Sequence, residues 1–196
     1  INETEETTHF SIVDKFGNAV SITTTINGSY GSKVVVDGAG FLLNNEMDDF
    51  SIKPGFPNMF GLTGGEANAI EGNKRMLSSM TPTIIEKEGE LFMVLGTPGG
   101  STIITSVFQT ILNVIDFNMN MQEAVDSKKF HHQWSPDHIV IEKNTIKDDV
   151  KYDLIHMGHK FNERSSIGRM DCILVNEFSK LEGGADKRGD DIAIGF

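Results

Sequence analysis

The sequence predicts an α+β domain in which helices are layered on sheet. Three observations carry that expectation: a β-branched hairpin near the start, a strand that runs into a glycine-rich turn, and an amphipathic helix behind it. In the hairpin, His9-Phe10-Ser11-Ile12-Val13 alternates polar and apolar residues, and Lys15-Phe16-Gly17-Asn18 is turn material. Ala19 to Ile26, rich in Val, Ile and Thr, is the expected return strand. Glu90 to Leu95 reads as a buried strand ending in Gly96-Thr97-Pro98-Gly99-Gly100. Behind it, Ile103, Ile104, Val107, Phe108, Ile111, Leu112 and Ile115 fall on one stripe of a 3.6-residue period, with Ser101 or Thr102 as the cap. Further helices are expected over residues 120–127 and about 147–157, the latter closed by Gly158, and a late strand over Ile173 to Val175. Two stretches read as loop. Residues 52–76 carry Pro54, Gly55, Pro57, Gly61, Gly64 and Gly65 without periodicity, and Gly183 to Asp190 forms the tail.

Composition narrows the function. The chain has 196 residues, 28 acids against 17 Lys and Arg, and a formal charge of −11. That field opposes nonspecific attraction to nucleic acid or an anionic membrane, so no nucleic-acid partner is expected. No apolar run is long enough to span a bilayer, and Ile1 to Glu6 does not read as a signal peptide. The single cysteine, Cys172, lies in the strand-like run Asp171 to Val175 and reads as a buried structural thiol. His131, His132 and His138 lie close together, but adjacent histidines diverge in regular structure and no further ligand is near. Packing roles are expected for them, with no metal and no cofactor.

A threonine hydroxyl becomes a nucleophile when a base sits beside it, and a freed α-amino group is one such base. Thr7-Thr8 alone is weak evidence, since Thr pairs are common in strands. Longer blocks are specific. Thr7-Thr8-His9-Phe10-Ser11, continued by Asp14 to Ser21, is followed in order by Gly40 to Phe50, Asn73 to Thr83, Gly96 to Ser101 and Phe130-His131-His132-Gln133-Trp134. These five blocks resemble the small subunit of gamma-glutamyltransferases, which are N-terminal-nucleophile hydrolases. Asp186-Lys187-Arg188 resembles the family's closing motif more loosely.

The resemblance implies an αββα sandwich shared with a large subunit cut from the same precursor. Residues 1–6 would then be leader before the cleavage site, and 7–196 the catalytic small subunit. It implies that Thr7 is the nucleophile and its freed amine the base, with Thr25 hydrogen-bonded to it. Asn27, Glu46 and Asp49 would hold the substrate ammonium, and Ser78 and Ser79 its α-carboxylate. Gly99 and Gly100 would form the oxyanion hole. Phe60 stands where several bacterial relatives carry a tyrosine on a loop over the site, so a hydroxyl bond toward Asn27 is lost. Thr102 replaces a common arginine.

The activity implied is gamma-glutamyl transfer from glutathione or a related gamma-glutamyl compound to water, an amino acid or a peptide, in a periplasmic or extracellular setting. Acylase or poly-gamma-glutamate processing by the same fold stays open, as does an unprocessed, noncatalytic glutamyl-binding form. With Glu6–Thr7 joined, the nitrogen of Thr7 is an amide and cannot act as a base.

Overall fold

The computed structural model describes residues 5–195, with side chains described from Thr7 onward. Residues 1–4 of the expected leader, and the side chains of Glu5 and Glu6, lie outside the described residues. Strands β1 (Glu5–Val13) and β2 (Ala19–Gly28) form the predicted hairpin. Its turn is held by Asp14, whose carboxylate accepts from the backbone N–H groups of Phe16 and Asn18. Strands β3 (Thr83–Lys87), β4 (Glu90–Gly96), β8 (Asp171–Val175) and β9 (Leu181–Ala185) make an antiparallel sheet in the order β3-β4-β8-β9. A third sheet holds β5 (Phe130–His131), β6 (Ile139–Glu142) and β7 (Phe161–Arg164), with β6 and β7 parallel.

The helices follow the sequence closely. They are α1 (Ile103–Ile115), α2 (Met121–Asp126) and α3 (Asp148–His156). Asn120 starts α2 through a capping box with Glu123. Gly158 follows α3 at φ 99°, in the left-handed region where a helix stops.

The core lies between the four-stranded sheet and helices α1 and α2. Met93, Leu95, Cys172 and Leu174 from the sheet meet Val107, Val114, Met121 and Val125 from the helices. The opposite face of β4 and β8 packs against the hairpin. The described chain thus stacks helices, sheet and hairpin in that order. No helix among the described residues is long and apolar enough to cross a membrane.

Three expectations need correction. The apolar residues of α1 do not share one face. Ile103, Val107 and Val114 are buried together with Ser106 and Thr110, while Ile104, Phe108 and Ile115 are exposed. Apolar spacing alone does not tell which side of a helix meets the core when both sides are apolar. The helix start is not capped by a serine or threonine accepting from its N–H groups. Thr102 instead donates from Oγ1 to the Gly99 carbonyl at 2.8 Å, and a short 3₁₀ turn, Gly100–Thr102, leads into α1. The tail is not all loop: Leu181–Ala185 pairs with β8 as an edge strand. Two adjacent glycines hid it, and Gly184 is tolerated because a side chain there would strike Val125 and Met121 of α2.

The end of the chain is tied inward by charge. Arg188 binds the buried carboxylates of Asp186 and Glu142, and Glu142 also accepts from the backbone N–H of Ile167. Lys129 is wholly buried beside this group, its ammonium donating to the carbonyls of Val125 and Ser127. Burial, with the Arg188 charge beside it, lowers the Lys129 pKa to about 8.

Candidate active site

The site begins on the inner face of the hairpin. Alternation puts Thr7, His9 and Ser11 of β1 on the side that faces β4 and β8, and register sets Thr7 opposite Thr25 and His9 opposite Thr23. The Thr7 hydroxyl donates to Thr25 Oγ1 at 3.2 Å. Thr25 Oγ1 also accepts from the backbone N–H of Asn27 at 2.9 Å. Asn27 can turn that N–H back toward Thr25 because it adopts φ 74°, a conformation asparagine tolerates better than most residues.

His9 is the nearest ring along the strand, and it is committed elsewhere. Its Nδ1 pairs with Thr23 Oγ1 at 2.7 Å and its Nε2 with Ser11 Oγ at 3.1 Å. Burial lowers its pKa to about 4, so it is neutral at pH 7. Among the described residues, no histidine, carboxylate or lysine is hydrogen-bonded to the Thr7 hydroxyl.

A second cluster sits across from Asn27. The Asn27 side-chain N–H donates to the Asn45 carbonyl at 3.2 Å, and the Asn45 side chain in turn accepts from the backbone N–H of Gly28 at 2.9 Å. The next residues form the 3₁₀ turn Glu46–Asp49, which places the carboxyls of Glu46 and Asp49 side by side. Ser79 donates to Asp49 Oδ2 at 2.7 Å, and Asn68 donates to the Asp49 carbonyl at 2.7 Å. Burial raises the Glu46 pKa to about 7, helped by the charge of Asp49 and the hydrogen bond between the two. Burial also raises Asp49, against the lowering effect of its bonds from Ser79 and Glu46. A cation placed between two such carboxyls would relieve the repulsion that keeps them from ionising together.

A cleft of about 310 Å³ opens at Asp49, and Ser79, Phe50, Phe56 and Leu62 are among the residues that line it. The turn that carries Phe60 borders this region. Its backbone is held by Asn58, whose side-chain oxygen accepts from the N–H groups of Phe60 and Leu62, and the Phe60 carbonyl accepts from Gln133. The residue of this turn that reaches Asn27 is Met59, with Sδ 3.7 Å from the Asn27 side-chain nitrogen.

Gly99 and Gly100 follow β4 with φ 147° and φ 53°. A side chain at Gly99 would lie 2.7 Å from Thr102 Oγ1, so only glycine fits where Thr102 clamps the Gly99 carbonyl. The structure thus joins Thr7, Thr25 and Asn27 in one hydrogen-bonded chain and Glu46, Asp49 and Ser79 in another, linked through Asn45. Among the described residues, no hydrogen bond ties Ser78, Phe60, Gly99 or Gly100 to either chain; Ser78 is exposed and turns toward Met80. Reasoning from sequence passed over Asn45, Asn68 and Met59. The two asparagines brace the carboxylate turn through their own amides, a role that residue type alone does not announce.

His131 makes hydrogen bonds to Thr105 at 2.9 Å and Gln133 at 2.8 Å, the packing role expected of it. Cys172 is buried, and that burial pushes its thiol pKa up.

Comparison with known proteins decides the family. The gamma-glutamyltranspeptidase family profile matches residues 1–196. The chain belongs to the gamma-glutamyltranspeptidase family. It is 47% identical over 195 residues to the glutathione hydrolase proenzyme of Escherichia coli strain K12, covering 99% of this chain and 33% of that protein. It is 52% identical over 174 residues to the proenzyme of Pseudomonas sp. strain A14, covering 89% of this chain and 30% of that one. The chain therefore spans about a third of the length of these relatives. Solved family members are matched end to end instead. The gamma-glutamyltranspeptidase of Pseudomonas nitroreducens complexed with L-DON aligns with TM-score 0.90 and 49% identity, over 96% of this chain and 99% of that chain. The Helicobacter pylori T380A mutant aligns with TM-score 0.88 and 55% identity, over 93% and 100%. The Bacillus anthracis transpeptidase CapD, at 22% identity and TM-score 0.73, shares the fold.

Proposed function

We propose that this chain is the catalytic small subunit of a gamma-glutamyl-transferring and glutathione-hydrolysing enzyme, freed by cleavage of its precursor before Thr7. The observation that carries the reading is the Thr7–Thr25–Asn27 hydrogen-bonded chain, at the position where the family blocks put the nucleophile. The split between relatives matched over a third and solved chains matched end to end supports a separate subunit of this size. On this reading residues 1–6 leave with the large subunit and 7–196 remain.

Cleavage turns the amide of Thr7 into an α-amine with a reference pKa of roughly 7.7–8.0, close enough to neutrality to take the hydroxyl proton. The Thr7 oxygen then attacks the gamma-carbonyl carbon, forming a tetrahedral adduct whose oxygen bears the charge. Thr25 holds the attacking oxygen in line through its hydroxyl. The backbone N–H groups at Gly99 and Gly100 are assigned to the adduct's oxygen, a role worth about 2.7–4 kcal/mol per donor where it has been measured in other enzymes. Collapse breaks the C–N bond, and the proton on the amine passes to the departing nitrogen. Water, or the amine of an amino acid or peptide, next attacks the Thr7 ester and releases the glutamyl group.

The substrate head group is assigned to the second cluster. Its ammonium lies against Glu46 and Asp49, with the Asn27 side chain beside them. Its carboxylate accepts from Ser79, whose hydroxyl proton then turns from Asp49 to the ligand, and from Ser78 once that side chain turns inward. This pairing of both charges on one carbon favours a free gamma-glutamyl head group over an acyl chain without an ammonium.

The test is substitution at Thr7 in the complete precursor. Thr7→Ala abolishes both cleavage and turnover, while Thr7→Ser keeps part of each, as followed by fragment mass and release of a gamma-glutamyl anilide. A folded Thr7→Ala protein with unimpaired turnover of the anilide would remove Thr7 from the chemistry.

A further inference from the structure

The sequence contains one Asn-Gly pair, Asn27-Gly28, and it closes β2 inside the candidate active site. Asparagine before glycine is the pairing most prone to lose its side-chain amide, because glycine has no side chain to hinder attack by its own nitrogen. In that reaction the Gly28 nitrogen attacks Asn27 Cγ and gives up its proton. The bond from Cγ to the side-chain nitrogen breaks, ammonia leaves, and a succinimide ring closes. Water then opens the ring at either carbonyl, leaving aspartate or isoaspartate. In sum, one amide and one water become one carboxylic acid and one ammonia, with no other reactant.

Both reacting groups are held by one residue. The Gly28 N–H donates to Asn45 Oδ1 at 2.9 Å, and the Asn27 side-chain nitrogen donates to the Asn45 carbonyl at 3.2 Å. Asn45 is itself tied to the same strand, its backbone N–H donating to the Ile26 carbonyl at 3.2 Å. It thus binds three successive residues of β2. Attack requires the Gly28 nitrogen to lose its proton and swing over Asn27 Cγ, which breaks these bonds first. Burial adds to the restraint: Asn27 is 6% exposed, so the water that opens the ring has little access.

We infer that Asn27-Gly28 is a deamidation site, and that Asn45 suppresses the reaction by holding the Gly28 N–H and the Asn27 amide at once. The damage that suppression prevents follows from the same contacts. A carboxylate at position 27 would set an oxygen against the Asn45 carbonyl where an N–H now donates, and the two would repel. The link between the Thr7–Thr25–Asn27 chain and the Glu46–Asp49–Ser79 cluster would then open. Isoaspartate would also add a methylene to the main chain directly after the N–H that binds Thr25 Oγ1. Asn45 is therefore a positioning residue that also preserves the chemical identity of its neighbour.

The test ages the complete purified protein in mildly alkaline buffer and follows the proteolytic fragment that carries residue 27 by mass, with isoaspartate detected by enzymatic methylation. Asn27 should convert at least about tenfold more slowly than in a synthetic peptide of residues 22–32, because two hydrogen bonds must open first. Asn45→Ala should bring the rate toward that of the peptide while amide exchange in β4 stays slow, which shows an intact fold. Asn45→Asp keeps an oxygen for the Gly28 N–H and should restore slow conversion. Asn27 converting as fast as the peptide, or Asn45→Ala ageing no faster than the unsubstituted protein, would overturn the inference. Asn45→Asp ageing like Asn45→Ala would overturn it equally. Should Asn45→Ala fail to fold, amide exchange at Gly28 in the unsubstituted protein decides: slow exchange supports the clamp, and free exchange refutes it. None of these readouts depends on turnover, so an inactive protein with a protected Asn27 would count against the proposed activity alone.

Discussion

Glu46 is the residue whose ionisation matters most to the proposed binding step. Its pKa of about 7 means that near neutrality the Glu46–Asp49 pair still holds a proton that an incoming ammonium must displace. Binding of a ligand with that ammonium therefore tightens as pH rises through about 7, by up to tenfold per unit below it. The inhibition constant of glutamate, measured between pH 5.5 and 8.5, checks this, and Glu46→Gln should flatten the profile because an amide has no proton to lose. A flat wild-type profile, or an unchanged slope in Glu46→Gln, would show that the pair does not titrate with binding. The sign for stability is opposite. A carboxyl whose folded pKa lies above its unfolded value favours the folded state at low pH, and that contribution fades as pH rises through about 7. At this scale the family blocks singled out Thr7, Thr25 and Asp49, and the structure bonds Thr7 to Thr25 and Asp49 to Ser79. Phe60 was harder. Its missing hydroxyl was visible in the sequence, but the thioether of Met59 that approaches Asn27 depends on a turn whose shape periodicity does not report.

Among elements, the contact between β1 and β4 is the most demanding. A side chain at Gly96 would lie 2.2 Å from the His9 ring, so the buried imidazole fills the space that this glycine leaves. His9 is two residues from Thr7 on the same strand face. Gly96→Ala is thus expected to force the ring and its strand outward. Overpacking of this kind costs roughly 1–3 kcal/mol, and the shift should lower turnover through misplacement of Thr7. Thermal unfolding and kcat on the same sample check both effects. An unchanged Tm with unchanged kcat would mean that the strand adjusts freely and that His9 does not fix it. Elements with strong local patterns were legible: β2 is β-branched, α1 is apolar along its length, and β4 is a continuous apolar run. Ile139–Glu142 and Phe161–Arg164 were not, because they pair with each other across the intervening α3. Thr83–Lys87 was also missed, although it pairs with β4 across the two-residue turn Glu88-Gly89. The two-sided α1 was misread for a related reason. A helix apolar on both faces has no stripe to show which one the chain itself will bury, and Ser106 and Thr110 lie on the buried side.

Taken whole, the described chain is a stack of helices, sheet and hairpin, with Thr7, the proposed nucleophile, on the hairpin face that meets the sheet. The family blocks made that architecture legible as part of an αββα sandwich, since they fix what each strand faces. The account turns on one claim about Thr7: it is silent while joined to Glu6 and competent once its nitrogen is an amine. That claim is tested by incubating the purified full-length precursor and following intact mass and gamma-glutamyl anilide turnover in one sample over time. Activity should rise in proportion to the fragment that begins at Thr7, starting from none. Full activity while Glu6 is still bonded to Thr7 would contradict it.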